Sequence, residues 1–369
     1  ECSDKVIVLV SSSASVEIGS LKDDPDVDAI LWIGAPGCYG MLGVADVLCG
    51  RVSPSGGLFD IFTAQNMSAP AMQNMGKMYY TNTEGTITRT GGVLGFNPGA
   101  YAIEAEGIYV GYRYYETRYY DCVAGTGNAD SAVGAYASSG NWNYGDEVTY
   151  GFGYGLSYTT FEQTLDSLSV DQKAQTVTLK ATVKNTGSVT GKDVVQVYAQ
   201  SPYTDYDKQN GVEKASIQLL GFGKTGLLEP GKSETVTVEM DLKYLASYDR
   251  NNAKTYMLDA GDYYFAIGNG AHAALNNILA AKGRTTADGM DVEGNPELAK
   301  IWTCSVLDKT SFAAGADGIT PITNQFDNAD YNTWNPGTIT YLSRSDWAGT
   351  WSGHYDGLEA TEDLLPWLR

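Results

Sequence analysis

The sequence contains little histidine, and its cysteines are widely separated. Only His272 and His354 occur among 369 residues, and the five cysteines form neither a CxxC pair nor a cluster with histidine. Zinc sites need such ligands at short spacings, so we expect no metal site and no cofactor. An odd number of scattered cysteines is typical of free, mostly buried thiols in a reducing compartment. This pattern favours a cytoplasmic location without assigning one.

Basic residues and long apolar runs are also scarce. Lys and Arg number 24 against 44 Asp and Glu, which gives a formal net charge of −20. Such a surface repels phosphate backbones and anionic lipids, and no apolar run approaches the roughly 20 residues of a membrane-spanning helix. We therefore expect neither nucleic acid nor a membrane as a partner. The charge is compatible with a neutral substrate such as a sugar but does not indicate one.

The sequence before the first expected strand has no recognisable signal-peptide pattern. The chain begins at Glu1, and no charged segment followed by an apolar segment precedes the first expected strand. We therefore expect either a processed end or a cut through a longer polypeptide. The 369 residues, 43% of them hydrophobic, are enough for two domains and at least one large core.

The first 62 residues have the pattern of a parallel β-sheet with helices. Val6–Val10 and Ala29–Ile33 are short apolar runs of the kind that parallel sheets bury on both faces. A short helix within Glu17–Lys22 and helical spacing over Met41–Leu48 complete a β-α-β-α order. Two parallel strands leave long edges and apolar faces uncovered, so the rest of this sheet is expected to come from other polypeptide.

The pattern changes twice after residue 62. Tyr109–Tyr120 is dense in aromatic residues, which favours a strand, and Ala124–Gly145 is rich in small polar residues, which predicts a long loop. Beyond Phe161, Val177–Val183 and similar segments alternate apolar and polar residues with a period of two, which predicts an antiparallel β-sandwich of fibronectin type closing near residue 280. After it, only a short final helix at Glu359–Leu368 is expected.

The predicted fold class is therefore α/β plus all-β. The expected domains are the terminal part of an α/β sandwich at 1–62, a connecting segment with a long loop at 63–160, a fibronectin III-like antiparallel β-sandwich at 161–280, and an irregular tail at 281–369. The tryptophans of that tail would form an unusual apolar patch if exposed, so the tail is expected to pack on something else.

Several strings of sequence carry a family resemblance. They are VDAILWIG at Val27–Gly34, ADVLCGRVSPSGGLFDIF at Ala45–Phe62, EGIYVGYRYY at Glu106–Tyr115, YGFGYGLSYTTF at Tyr150–Phe161 and VKNTGSVTGKDVVQVY at Val183–Tyr198. In this order they resemble glycoside hydrolase family 3, of the β-glucosidase type, from the end of its α/β-sandwich domain through its fibronectin-like domain. One departure is Gly57, which stands where the family commonly has a basic residue.

The resemblance implies a retaining exo-acting β-glycosidase that hydrolyses terminal β-linked glucose or related sugars, with an oligosaccharide or β-glucoside as substrate. An Asp nucleophile in a TIM barrel and an acid/base Glu upstream on the α/β sandwich would perform the reaction. Tyr341–Trp351 (YLSRSDWAGTW) resembles the connector of family members in which the TIM barrel comes last. On this interpretation the chain lacks both carboxylates, is non-catalytic in isolation, and has as partners the TIM barrel and the N-terminal part of the α/β sandwich.

Two acidic residues are catalytic candidates. Ser345-Asp346-Trp347 is similar to the Ser-Asp-Trp that holds the nucleophile in many family members, but only 23 residues follow Asp346, too few for more barrel. Asp346 is therefore assigned to the connector, where Asp or Ser caps a turn. Glu106 has a glycine after it, as in the acid/base loop of the family, but pairing with Arg113 or Arg118 is the favoured interpretation.

Aromatic residues are the candidates for substrate binding, since pyranose rings stack on aromatic faces. We expect Trp142, Tyr144, Trp347 and Trp351 either to bind sugar or to pack in a core or between domains, and the sequence leaves both open. Two other functions also stay open. The chain could be a non-catalytic carbohydrate-binding module, or an inactive relative that serves as a scaffold.

Overall fold

The computed structural model describes residues 4–76, 78–84, 99–349, 351 and 355–368, so that His354 and Cys2 lie outside the described residues. The N-terminal part contains strands β1 (Ile7–Val10) and β2 (Ala29–Trp32), which pair in parallel, and helices α1 (Gly19–Lys22) and α2 (Gly37–Leu48). The predicted β-α-β-α order is confirmed. No helix among the described residues is long and apolar enough to cross a membrane.

The face of this unit is open. Helix α2 has no buried residue, and Tyr39 and Leu42 on it are 87% and 67% exposed. The thiols of Cys38 in this helix and Cys49 directly after it are free and exposed. The expectation of mostly buried thiols is therefore wrong for these two cysteines, because nothing in the described chain covers α2.

The connecting segment contains short strands and one long helix. Its elements are β3 (Phe62–Thr63), 3-10 turns at Asn66–Ser68 and Pro70–Asn74, β4 (Met78–Tyr79), β5 (Ala100–Tyr101), α3 (Tyr112–Ala124), α4 (Tyr144–Glu147) and β6 (Val148–Tyr150). Strand β3 pairs with β6, and β4 pairs with β5. The long loop predicted before Gly145 is confirmed, since neither a helix nor a strand lies between α3 and α4.

The strand expected at Tyr109–Tyr120 is wrong, because residues from Tyr112 onward form helix α3. Gly111 precedes the helix with φ of 58°, and Gly125 ends it in the left-handed conformation, with φ of 69°. Most of the residues between them are buried, so packing on several sides outweighs the β propensity of the tyrosines.

Two antiparallel sheets form the predicted fibronectin-like sandwich. In chain order the elements are β7 (Phe161–Asp171), β8 (Thr176–Asn185), β9 (Val194–Gln200), α5 (Asp205–Asn210), β10 (Gln218–Lys224), β11 (Ser233–Asp241), a 3-10 turn at Leu242–Leu245, β12 (Ser247–Asp249), β13 (Thr255–Met257), β14 (Gly261–Ile267), α6 (Ala271–Ala281) and β15 (Ala299–Cys304). One sheet has the order β11-β8-β7, and the other has the order β10-β9-β14-β15. Strand β15 lies beyond the expected end of the sandwich at residue 280, because α6 packs on β14 before the chain returns to the sheet.

The tail is largely irregular, as expected. It contains helix α7 (Tyr331–Trp334) and 3-10 turns at Asp327–Ala329 and Leu365–Leu368, so only the end of the helix expected at Glu359–Leu368 forms. The tail packs on the connecting segment, where Tyr331, Ile339 and Leu364 share a buried cluster with Tyr80 and Ala105.

The two sheets approach closely at β10. A Cβ at Gly223 would overlap Cγ1 of Val236 on β11, and one at Gly221 would lie 2.9 Å from Cγ of Met240. Because Val236 is β-branched, it has little freedom to move away. Glycine at these two positions therefore sets the distance between the sheets.

We predict that Gly223→Ala lowers the free energy of unfolding by about 1–3 kcal/mol, because the added methyl group overpacks the interior of the sandwich. The matched control is Phe222→Thr on the opposite face of β10, where the side chain is 68% exposed and the change is expected to stay within about 0.5 kcal/mol. Urea unfolding of both variants measures the difference. Equal effects would contradict the packing argument.

Candidate functional site

The carboxyl ends of β1 and β2 meet at one edge of the sheet, which is where open α/β sheets bind their ligands. Ser11, directly after β1, donates a hydrogen bond from its hydroxyl to the carbonyl of Gly34, after β2, at 3.0 Å. The hydroxyl of Ser15 donates to Asp60 Oδ2 at 3.3 Å, and Asp60 Oδ1 accepts from the backbone of Ile61 at 2.8 Å. These bonds connect the two strand ends to the segment before β3.

An aromatic pair lies beside this edge. The rings of Trp32 and Phe59 have centroids 4.6 Å apart, and Phe59 is exposed. Gly34 has φ of 58°, and a Cβ there would lie 2.9 Å from the Trp32 ring, so glycine is required. Asp60 places a carboxylate at this edge, and no described cluster of His, Cys, Asp and Glu could hold a metal ion.

Gly57 follows this edge on the way to β3. A Cβ at Gly57 would overlap the carbonyl oxygen of Gly153, so the basic side chain that the family commonly has at this position does not fit here. Lys224 of β10 nevertheless reaches the same loop, since its Nζ donates to the carbonyl of Ser55 at 3.1 Å. A basic group therefore contacts this loop from the sandwich.

The Ser-Arg-Ser-Asp-Trp segment of the tail is buried through its arginine and tryptophan. Arg344 Nε and Nη2 both bond to the carboxylate of Asp121, and Nη1 donates to the carbonyl of Lys214 at 3.0 Å. Trp347 is fully buried and its Nε1 donates to the same Asp121 at 3.0 Å. Asp346 is exposed, and its Oδ1 accepts from the backbone of Ala348 at 2.9 Å. The contacts of Asp346 are those of a turn cap, and a catalytic role for it stays a prediction.

The four aromatic candidates lie together inside the molecule. Trp142, Tyr144 and Trp347 are buried, and Trp351 is half-buried against the same cluster. Tyr114 is the common neighbour of the three tryptophans, with centroid distances of 6.3, 5.7 and 5.4 Å to Trp142, Trp347 and Trp351. These contacts are core packing, and sugar binding by the four residues stays a prediction.

The ion pair expected for Glu106 is wrong for the described residues. Arg118 is buried and donates instead to the carbonyls of Ala129 and Ser131 at 2.7 and 3.0 Å, while Arg113 is exposed. Glu106 Oε2 has no hydrogen-bond partner among the described residues. Burial is the main cause that raises the pKa of Glu106 above its usual range.

His272 lies between two carboxylates, an arrangement that sequence reasoning missed. On α6, its Nδ1 bonds to Glu116 Oε2 of α3 and its Nε2 to Asp291 Oδ2, both at 2.8 Å. The ring of Tyr144 stacks on it at 4.0 Å with an angle of 12°, and the Tyr144 hydroxyl donates to Glu116 Oε1 at 2.7 Å. The rarity of histidine was the one available signal, and it was considered only for zinc.

The charge state of His272 decides what it can do. Burial opposes its charge, but Glu116 and Asp291 outweigh burial and raise the pKa of His272 to about 10. Burial acts to raise the pKa of Asp291, but the contact with His272 and hydrogen bonds from Tyr119 and Asn276 outweigh it and lower that pKa to about 2. An imidazole that stays protonated at neutral pH cannot accept a proton as a general base. The group is therefore an ion pair that joins α3, α4 and α6.

Comparison with known proteins agrees with this architecture. The model of the glycosyl hydrolase family 3 C-terminal domain matches residues 1–158, and that of the fibronectin type III-like domain matches residues 193–271. A β-glucosidase from Ruminococcus albus is 31% identical over 274 residues, which are 73% of this chain and 23% of that protein. An exo-α-(1→6)-L-arabinopyranosidase from Bifidobacterium breve is 28% identical over 75% of this chain and 29% of its own length.

A solved structure is similar over most of the chain. β-Glucosidase 3B from Thermotoga neapolitana, in complex with α-D-glucose, is 29% identical with a TM-score of 0.56, over 82% of this chain and 32% of that one. The fold and the matched domains are those found in the glycoside hydrolase families. The chain belongs to glycoside hydrolase family 3 and spans about a quarter of the length of the relatives that it matches.

We predict that Arg344→Met lowers the free energy of unfolding by about 3–5 kcal/mol, because it leaves the buried Asp121 carboxylate without its counter-charge. Asp346→Asn two residues later is the control, expected within about 0.5 kcal/mol because the amide oxygen can still accept from Ala348. Chemical denaturation of the two variants tests this. Similar losses in both would show that Arg344 does not neutralise Asp121.

We predict that His272 makes stability depend on pH. Its pKa is about 10 in the folded chain and 6.5 as the ordinary value, so its contribution is complete below pH 6.5 and is lost as the pH rises towards 10. The loss is on the order of 5 kcal/mol. The measurement is the free energy of unfolding from pH 6 to 10 for the wild type and His272→Gln, and the gap between them should shrink with pH. Parallel curves would refute the ion pair.

Proposed function

We propose that this chain is a non-catalytic portion of a retaining, exo-acting β-glycosidase that releases terminal β-linked glucose or a related sugar. Its part is to complete the α/β sandwich that lines one wall of the active site. The relatives named above include a β-glucosidase and an arabinopyranosidase, and the family to which the chain belongs is a hydrolase family. The observation that supports this role best is the open face of β1, β2 and α2.

Exposed apolar residues are concentrated in this α/β unit. Exposed on it are Ile7 and Leu9 of β1 and Met41, Leu42 and Leu48 of α2, with exposed fractions between 37% and 67%. Apolar residues concentrated in this way mark a contact surface, since a monomer rarely leaves such a patch in water. We assign the surface to the N-terminal part of the same α/β sandwich, because a two-stranded parallel sheet needs further strands and covering helices.

The chemistry of the reaction needs two carboxyl groups about 5 Å apart, one to attack the anomeric carbon and one to protonate the departing oxygen and then activate water. The buried carboxylates of Glu116 and Asp121 already have charged partners. The carboxylate of Glu147 accepts backbone bonds from Tyr136, Ala137 and Ser138. Glu106 has no ion partner but is only 6% exposed, which keeps substrate away from it. We therefore place both catalytic groups in other parts of the enzyme.

The tail fits a connector towards a TIM barrel that follows in the polypeptide. Arg344 and Trp347 hold Tyr341–Trp351 against α3, so the segment leaves the sandwich from a defined position. We therefore propose the reversed domain order, in which the TIM barrel comes last. The domain boundaries at residues 62, 160 and 280 belong to the same proposal. In this arrangement the sandwich supports the two catalytic domains from one side.

A carbohydrate-binding module or an inactive scaffold is the second candidate. Three of the four aromatic candidates are buried and Trp351 is half-buried, which does not favour the module, because a stacking platform needs an exposed face. Strong binding of neutral β-linked oligosaccharides to the isolated chain, measured by calorimetry, would favour it over the hydrolase. A scaffold would instead leave the longer polypeptide inactive.

We predict that the isolated chain does not hydrolyse aryl β-glucosides, whereas the polypeptide that includes the missing sandwich part and barrel does. In that longer polypeptide, Leu42→Glu should lower both the melting temperature and the activity, because it places a charge in the buried face of the sandwich. Leu227→Glu is the matched control, since Leu227 is 69% exposed on the fibronectin-like domain.

In the isolated chain the two variants should melt at the same temperature, since both side chains are then in water. Turnover by the isolated chain that Asp346→Asn abolishes would overturn the proposal. Equal effects of Leu42→Glu and Leu227→Glu in the longer polypeptide would show that α2 is not part of the contact surface.

A further inference from the structure

A second concave site lies away from the open face of the α/β unit. It is an open pocket of about 610 Å³ where the C-terminal end of α3, the end of β9, the start of β14, Lys282 after α6 and the tail meet. None of its lining residues belongs to β1, β2 or α2. The volume falls in the range of about 300–1,000 Å³ that small-molecule sites occupy.

The walls of the pocket combine cations with tyrosine rings. Lys282 Nζ lies 4.2 Å from the ring centroid of Tyr264 and 5.6 Å from that of Tyr120. The guanidinium of Arg344 lies 4.6 Å from the ring of Tyr203. Such cation–π contacts hold the charged groups in place without neutralising them.

One ammonium group of the pocket, that of Lys282, forms no ion pair among the described residues, although the carboxylate of Asp262 also lines the pocket. The carboxylate of Asp121 is paired with Arg344, and Asp262 Oδ1 accepts from the hydroxyl of Thr303 at 2.5 Å. Lys282 is exposed and forms no ion pair within the part of the chain that the structure describes. A free ammonium group therefore faces the pocket of a chain whose net charge is −20.

Hydrogen-bonding groups in the pocket are also free. The hydroxyls of Tyr120, Tyr203 and Tyr264 bond to no group among the residues that the structure describes, although each side chain is partly buried. Hydroxyls beside apolar ring surfaces suit a ligand that has both C–H faces and many hydroxyl groups, which is the surface of a pyranose.

We propose that this pocket binds a carboxylate-bearing sugar of the hexuronate type, with the ammonium of Lys282 holding the carboxylate and the three tyrosines contacting the pyranose. The site is independent of the hydrolytic role proposed above, since it shares no residue with the strand ends and its occupation requires no catalysis.

Calorimetry on the 369-residue chain at low salt tests the proposal with D-glucuronate, D-glucose and inorganic phosphate as probes. Glucuronate should bind at least about tenfold more tightly than either of the others, and Lys282→Met should remove that difference. Lys282→Arg should retain it, and Lys173→Met, an exposed lysine in the turn after β7, should not change it. Thermal unfolding confirms that each variant is folded.

The pH dependence gives a readout that a structural lysine would not produce. Loss of hydration against the two rings and repulsion by Arg344 lower the pKa of Lys282 to about 8, while Asp262 acts in the opposite direction. The other charged groups of the pocket are Lys208 of α5 and the paired Asp121. Glucuronate affinity should therefore fall above pH 8 in the wild type and persist in Lys282→Arg.

Three outcomes would overturn the proposal. They are equal affinity for glucuronate and glucose, phosphate binding as tight as glucuronate binding, and glucuronate binding that survives Lys282→Met. Each is a binding result on the isolated chain, so the failure of this site and the failure of the hydrolytic proposal, which is measured by turnover of the longer polypeptide, are separable.

Discussion

The arrangement of this chain depends on the charges that helix α3 places inside the molecule. Glu116, Arg118 and Asp121 are all within 2% of complete burial, and an unpaired charge in such a position would cost several kcal/mol. Each finds its partner in a different segment: Glu116 in His272 of α6, Arg118 in carbonyls of the following loop, and Asp121 in Arg344 of the tail. The buried charges of α3 therefore all have partners only when the sandwich, the loop and the tail are in place together.

This requirement explains why the tail is ordered although it has almost no regular secondary structure. Arg344 and Trp347 both bond to Asp121, while Leu342 donates its backbone amide to Ala105 at 2.8 Å. Side-chain contacts and single backbone hydrogen bonds thus hold the tail in place of the regular backbone hydrogen bonds of a helix or strand. The same contacts place Arg344 in the wall of the pocket, so that a structural ion pair also positions a cation near the free ammonium of Lys282.

The sandwich could be predicted from the sequence because its signal is local. Val177, Leu179, Ala181 and Val183 alternate with polar residues, and each of these four is completely buried in β8, as a period of two requires. Helix α3 could not be predicted in this way, since its buried face includes charged residues as well as tyrosines. The pairing of Asp121 with Arg344 spans 223 positions, and no local pattern reports a contact between residues so far apart.

Helices α2 and α3 differ in how far this chain covers them. At α3 almost every side chain is enclosed by this chain, whereas at α2 none is, although both helices belong to the region that the family domain matches. The four backbone pairs between β1 and β2 are too few to hold a parallel sheet rigid by themselves. The loops at their carboxyl ends, including Ser11 and Gly34, are therefore expected to be held more firmly once further strands extend the sheet and helices cover its faces. Under the proposed function, a wall built in this way would form only once the other parts of the sandwich are in place, and catalysis would depend on that association.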